Sequence, residues 1–351
     1  MSVRIAGIAL PSDEAIDLTI VDGLWSDEYS LDLDQRIEGW IIPGLVDVHT
    51  HPGADKPGQL IDEKLLRTQL TKNIDNGVTA IRSPGLASNP PEWFGNDPDL
   101  PRAFHAGPWL AQPGQFITGW GRRVSNADFP RTAAAQAVAT GWCKIIADWG
   151  IDDEAISQEV MSQIAQAVHA VGGRVAVHSQ NEAGSTAAVR AGVDSLEHGM
   201  WLDKSLLDLM AAQGTALVPT MKVFSDSVGH FQSKEPSPKR DWYVEGTRRH
   251  PGLINAAYEA GVAILAGTDS AAFSVSEEVK ELAAAGLSPA DAIGAASWLA
   301  RDFLGLSAFV PGAPADAVIY REDPRKNLDI LDFPDWVILR GKILRRPGIA
   351  S

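Results

Sequence analysis

Eight short apolar segments alternate with stretches of helical periodicity along most of this chain, and that alternation limits the fold more than any other feature. The segments are Pro43–His49, Val78–Ser83, Arg102–Ala106, Trp142–Ala147, Arg174–His178, Val193–His198, Ala216–Thr220 and Val262–Asp269. Between the first two, Leu65, Leu66, Leu70 and Ile74 recur at helical spacing and stop at Asn76–Gly77. Ile156, Val160, Ile164, Val168 and Val171 repeat the pattern before Gly172, and shorter versions occupy 181–191, 204–213 and 252–260. Strands separated by helices imply parallel pairing through crossover connections. Eight such units match a (β/α)8 TIM barrel better than an open doubly wound sheet.

Two flanks stand outside the alternation. Residues 1–40 carry "AIDLTIVDG" and "QRIEG", and residues 315–345 carry "ADAVIYRE" and "DWVILRGKILR", all with period-two patterning. Neither flank is large enough to make a stable sheet alone. The expected arrangement is therefore one small, discontinuous β domain from residues 1–42 and 310–351, beside a barrel at 43–309. Just before the second flank, Ser288 can cap a helix, Pro289 suits its first turn, Asp291 favours its N-terminus and Gly305 can end it.

Composition narrows the partners. With 351 residues, 45% of them hydrophobic, the chain can bury a large core, and its one cysteine, Cys143, leaves no disulfide framework. The formal charge of −15 repels nucleic acid and anionic membrane at long range, so neither is an expected partner. No apolar run reaches the ~18 residues of a membrane span. The first residues lack the sustained apolar stretch of a secretion signal, so a cytoplasmic location is expected. A small molecule is the expected partner, and self-association into a homo-oligomer is left open.

The stretch "IIPGLVDVHTHPG" ends an apolar run with two histidines. In extended chain, residues two apart project to one side, so His49 and His51 share a face. They could hold a metal ion, or lie on the surface beside the turn at Pro52–Gly53. Barrel chemistry gathers at the C-terminal ends of the strands. There His178 ends "RVAVHS", His198 ends "DSLEHG", Asp269 ends "AILAGTDS" and Lys144 lies in "WCKIIAD". Singly, each has an ordinary reading: a core histidine bonded to a carbonyl, a helix-capping aspartate, or a lysine in an internal ion pair. Together they would all have to converge on one mouth by chance. Cys143, on the opposite face to Lys144, reads as a small buried residue, and His105, His169, His230 and His250 read as ordinary.

The ordered set of motifs resembles the amidohydrolase superfamily, in particular its imidazolonepropionase and prolidase-like (Xaa-Pro or Xaa-Arg dipeptidase) branch. "PGLVDVHTHPG", "GVTAIRSPG", "CKIIAD", "VAVHSQNEAGSTAAVRAGVDSLEHG", "ILAGTDS" and "PGAPADAVIYREDP" carry the likeness. The resemblance implies a distorted (β/α)8 barrel with a small β-sandwich domain formed from both termini. It implies two divalent metal ions, with zinc suiting the mixed imidazole and oxygen ligands and manganese, cobalt and iron sharing that chemistry. His49, His51 and Asp269 would take a buried ion, and His178 and His198 a more exposed one. Lys144, carboxylated by CO2 to a carbamate, would bridge the two. Water activated between the metals would attack an amide-like carbonyl, with Asp269 as the catalytic proton shuttle.

The chain departs from the resembling dipeptidases at two loops, "QPGQFITGWGRRVSNADF" and "SAAFSVSEEVKEL". Trp120, Arg122, Arg123 and Tyr243 are candidate substrate contacts, and 225–241 is a long polar stretch that reads as a surface loop or a lid. Three functions are compatible with the sequence. The first is hydrolysis of a C–N bond in a small amide, dipeptide or cyclic amide. The second is the same site acting on an ester, lactone or phosphotriester. The third is a binding protein on an inherited barrel.

Overall fold

The computed structural model describes residues 3–28, 35–151 and 153–345. The outermost parts of the expected terminal domain, 1–2, 29–34 and 346–351, lie outside the described residues. Strands from the two ends of the chain meet in one seven-stranded sheet. Its order is 342–345, 336–339, 317–320, 35–43, 3–9, 14–21 and 24–26. The junction between the flanks is antiparallel, with Ala317 opposite Pro43 and Ile319 opposite Ile41. Apolar side chains explain why neither flank stands alone: Val3, Ile5 and Ile41 from one end pack with Ala317, Ile319 and Ile338 from the other. On the open face, Arg4 and Asp17 form an ion pair across adjacent strands.

The remaining strands are parallel and flanked by helices, giving a mixed α/β fold. Leu45–Asp47, Val78–Ser83 and Arg102–His105 form one sheet. Leu110–Ala111, Trp142–Ile146, Arg174–Ser179, Ser195–His198 and Ala216–Val218 form a second, with Arg122–Arg123 on its edge. Thus Trp142–Ile146 takes as its neighbour the short Leu110–Ala111, a strand the alternation did not suggest, rather than Arg102–His105.

The eighth expected strand, Val262–Asp269, is not regular. It makes a single bridge, Ile264 with Leu217, because its later backbone groups bond elsewhere. Ala266 N donates to Ala295 O and Thr268 N to the Asp47 carboxylate. It still links the two parallel sheets. Leu265 N donates to Leu217 O on one side, while Val48 N donates to Ala266 O and Asp269 N to His49 O on the other. Close approach here requires glycine: a Cβ on Gly267 would sit 2.5 Å from His49 Cβ.

Helix Glu63–Asp75 follows its sequence signals, with Asp62 accepting from Leu65 N and Leu66, Leu70 and Ile74 buried. Helix Gln158–His169 is shorter than its apolar pattern: Ser157 caps it after Ile156, and Val171 lies beyond it, 45% exposed. The stretch 204–213 begins as a 3₁₀ turn, Lys204–Leu206, before helix Leu207–Gln213. The polar stretch 225–241 is mostly helical rather than a loop, shared between helices Met221–Gln232 and Pro238–Glu259. Its glycine and prolines obscured the periodicity, yet Ser237 caps the second helix and Pro238 occupies its first turn. Ser288 caps a helix as its position suggests, but that helix breaks into Pro289–Ala295 and Trp298–Phe303, where the Ser297 hydroxyl donates to Pro43 O. No helix among the described residues is long and apolar enough to cross a membrane.

Candidate metal centre

His49, His51, Lys144, His178, His198 and Asp269 line one cavity of about 550 Å³ at the C-terminal ends of the parallel strands. His49 and His51 follow Leu45–Asp47, where the chain leaves the strand and bends at Val48–His49 rather than staying extended as the sequence suggests. Asp47 anchors that chain, accepting from His49 N on its own strand and from Thr268 N and Oγ1 on the segment that delivers Asp269. Lys144 projects from the middle of Trp142–Ile146, and Cys143, on the other face, is buried in the main apolar core. His198, Thr220 and Asp269 all adopt left-handed backbone at strand ends, with φ of 69°, 50° and 53°. Such conformations cost energy in non-glycine residues and concentrate where side chains are aimed at a site.

Hydrogen bonding sets the histidine tautomers. His49 Nδ1 donates to Glu197 Oε2 at 2.6 Å, and His51 Nδ1 donates to Gly85 O at 2.7 Å. Burial lowers the His51 imidazole below its ordinary pKa, so it is neutral near pH 7. With both Nδ1 protons committed, the two Nε2 lone pairs face each other across 3.1 Å. Asp269 Oδ1 lies 3.1 Å from one Nε2 and 3.2 Å from the other. Three donor atoms converge with no proton among them, a grouping that suits a cation. Among the described residues these three form a group able to hold a metal ion.

Beside this trio the other three groups carry unmet bonding capacity. Lys144 Nζ and His178 Nε2 are buried without a hydrogen-bond partner. Buried polar atoms are nearly always paired, so both point to a group that completes them. Burial, reinforced by Lys144, takes His178 down to about 3, and burial with His178 takes His198 well below the ordinary histidine value. Both imidazoles are therefore neutral and ligand-competent near pH 7. His198 Nδ1 pairs with Thr220 Oγ1 at 2.7 Å, and the His178 and His198 rings lie 4.6 Å apart. Burial lowers the Lys144 ammonium to about 8. The donor set of neutral imidazoles and carboxylate fits divalent metal.

Several supporting residues escaped the sequence reading. Glu197 orients His49 while accepting from Arg82 Nη2 at 2.8 Å and from Ser195 Oγ at 2.6 Å. Arg82 also donates to Ser195 Oγ and to Val48 O. Glu197 and Arg82 side chains are both 0% exposed. Charged residues inside strands that are otherwise apolar, "AIRS" and "SLEH", were the available signal. His250, read as ordinary, is buried and donates from Nε2 to His198 O, steadying the left-handed residue. Of the candidate substrate contacts, Trp120 lines the cavity, whereas Tyr243 stacks on Phe231 away from the cavity lining. Arg123 donates to the carbonyls of Phe116, Ile117 and Trp120 and so braces the loop, while Arg122 is exposed.

The Arg82–Glu197 pair gives a direct stability prediction. Arg82→Ala leaves the Glu197 carboxylate buried without its guanidinium, a change worth about 3–5 kcal/mol in comparable pairs. Urea unfolding should show a loss of that order, and a loss below about 1 kcal/mol would mean that water or another cation replaces Arg82.

The amidohydrolase family profile matches residues 40–344 of the chain. The chain belongs to the amidohydrolase family. It is therefore a hydrolase acting on carbon–nitrogen bonds, and the family is in general metal-dependent. An uncharacterized protein of Mycobacterium tuberculosis strain H37Rv is 35% identical over 361 aligned residues, covering 97% of this amidohydrolase chain and 95% of its own. Ochratoxinase of Aspergillus niger is 30% identical over 188 residues, half of this chain and 38% of that relative. The crystal structure of ochratoxinase superposes with a TM-score of 0.80 at 21% identity, covering 99% of this chain and 96% of the other. A Xaa-Pro dipeptidase with methionine bound in its active site gives 0.81 at 22% identity, over 98% and 99% of the two chains. These neighbours share a TIM-barrel-type fold with the chain, and the prolidase-like branch is represented among them.

Proposed function

We propose that the protein is a binuclear metal-dependent amidohydrolase that cleaves the C–N bond of a small amide, dipeptide or cyclic amide. The observation that supports it most is the convergence of six ligand-type side chains on one cavity, with Lys144 Nζ and His178 Nε2 left unpartnered. In this reading His49, His51 and Asp269 would hold one ion, and His178 and His198 a second. Zinc fits these imidazole and oxygen donors. Lys144 would join the two as a carbamate: its neutral Nζ would add to CO2 and release one proton, giving an anionic group with two oxygen donors. An amine whose ammonium form is lowered to about 8 has a substantial neutral fraction for that reaction. When bound, such ions lower the pKa of water toward ~7 and polarise a carbonyl.

The chain's own groups do the rest. The Asp269 carboxylate, 26% exposed on the cavity wall, takes the proton of the attacking water and passes it to the leaving nitrogen. Glu197 and Gly85 O keep the His49 and His51 lone pairs aimed inward. The parallel strands make up a distorted (β/α)8 barrel at residues 43–309. Residues 1–42 and 310–351 are read together as a small β-sandwich domain, supported by the pairing of strands from both ends of the chain.

The test is hydrolysis of dipeptides, N-acyl amino acids, lactams and aryl amides by protein supplied with zinc and bicarbonate, with and without chelator. Chelator-sensitive release of an amine from at least one class is expected. Esterase or lactonase turnover without any amide turnover would move the function to another electrophile at the same site.

A further inference from the structure

The cavity beside the six ligand-type residues is walled by aromatic rings. Trp109 lies 5.0 Å from the His51 ring and stacks on Trp120, with centroids 5.2 Å apart and planes 18° from parallel. Phe116 packs against Trp109 and meets Trp149 edge-on at 4.9 Å. Trp149, 38% exposed, lies 5.4 Å from the His178 ring. The wall thus runs from His51 to His178, flanking the place where a scissile bond must sit.

The wall is also held in place before any ligand arrives. Trp120 Nε1 donates to Gln59 O, and Arg123 braces the loop through three carbonyls. Phe116 adopts left-handed backbone at φ 68°. Gly85 is required because any Cβ there would collide with the Trp109 indole. A preformed apolar surface with fixed rings suits a flat ligand, since little ordering remains to be done on binding.

Charge restricts the ligand further. Among the described residues lining the cavity, the one lysine or arginine is Lys144, which sits within the ligand-type cluster. Arg123, on the lining loop, spends its guanidinium on backbone carbonyls. Asp55, at the exposed edge, adds a negative group. A carboxylate seated deep against the tryptophans would be desolvated there, since the exposed Lys56 and Lys72, which donates to Ala272 O, stand at the rim rather than among the rings.

We infer that the substrate is an aryl amide, with a flat aromatic group seated on Phe116, Trp120 and Trp149, backed by the buried Trp109, and no remote carboxylate. This rests on the proposed amide hydrolysis and narrows it. It places dipeptides with a free C-terminal carboxylate among the poor substrates. A cavity of about 550 Å³ has room for a one- or two-ring group together with the amide.

Ketones shaped like aryl amides separate binding from chemistry, because they contain no C–N bond to hydrolyse. Calorimetric titration of zinc- and bicarbonate-treated protein with 2-acetylnaphthalene and with 6-acetyl-2-naphthoate isolates the remote carboxylate. The neutral ketone should bind at least tenfold tighter. Trp120→Ala should weaken its binding at least fivefold, with recovery in Trp120→Phe. Ile117→Arg should raise the affinity for the carboxylate. Equal or tighter binding of the carboxylate to the wild-type protein overturns the proposal, and that comparison stands even if a variant fails to fold. If the neutral preference holds while no amide is cleaved, the aromatic subsite is right and the reaction wrong. If amides are cleaved with a preference for remote carboxylates, the subsite alone is wrong.

Discussion

Lys144→Ala is expected to lose bound metal and turnover together, with turnover down by more than about 100-fold. Removing a group that only orients a ligand typically costs about 10–100-fold in metal affinity, and a bridge shared by two ions should cost more. Lys144 Nζ is buried with no partner, so the truncated side chain leaves a space rather than a broken hydrogen bond. Formate or acetate should enter that space and restore part of both metal and activity, since each supplies the missing carboxylate. In the wild-type protein, reloading with zinc at constant dissolved CO2 should quicken as pH rises from 6.5 to 8.5. The amine reacts with CO2 only after losing its proton, and burial lowers that loss to about pH 8. Full metal content and turnover in Lys144→Ala would remove the carbamate from the account.

Asp269→Asn should behave differently. The amide keeps the size of the carboxylate and one oxygen donor, so metal content should fall only in part. It removes the anionic oxygen that stands 3.1–3.2 Å from both His49 and His51 Nε2. Loss of a general acid–base group costs typically about 100- to 10,000-fold, and turnover should fall by at least about 100-fold. Metal analysis and initial rates on one amide substrate check both halves. Near-full turnover with metal in place would mean that Asp269 is a ligand alone and that another base acts.

The elements that carry the six ligand-type residues could be read from the chain because buried parallel strands leave continuous apolar runs. Lys144, His178 and His198 lie on regular strands, so their positions followed from the runs themselves. Asp269 ends a segment whose bonds leave the ladder for Ala295 and Asp47, contacts no local pattern encodes. Glu197 and Arg82 are 115 residues apart, and their pairing is a property of the assembled sheets. The helices across 225–241 were hidden by their polarity and by Gly229, Pro236 and Pro238, while their buried face rests on scattered aromatic residues such as Phe224 and Tyr243. The aromatic wall was visible only at Trp120. Trp109 and Trp149 lie in separate segments, and only folding joins them, through Phe116, into one wall beside the histidines.

In the proposed centre the cavity holds two metal ions bridged through Lys144. Elemental analysis of protein purified without chelator, then incubated with zinc and bicarbonate and freed of excess metal, tests it most directly. Two zinc ions per chain are expected, falling below one in Lys144→Ala. A wild-type stoichiometry that stays at one after both supplements are given would contradict it.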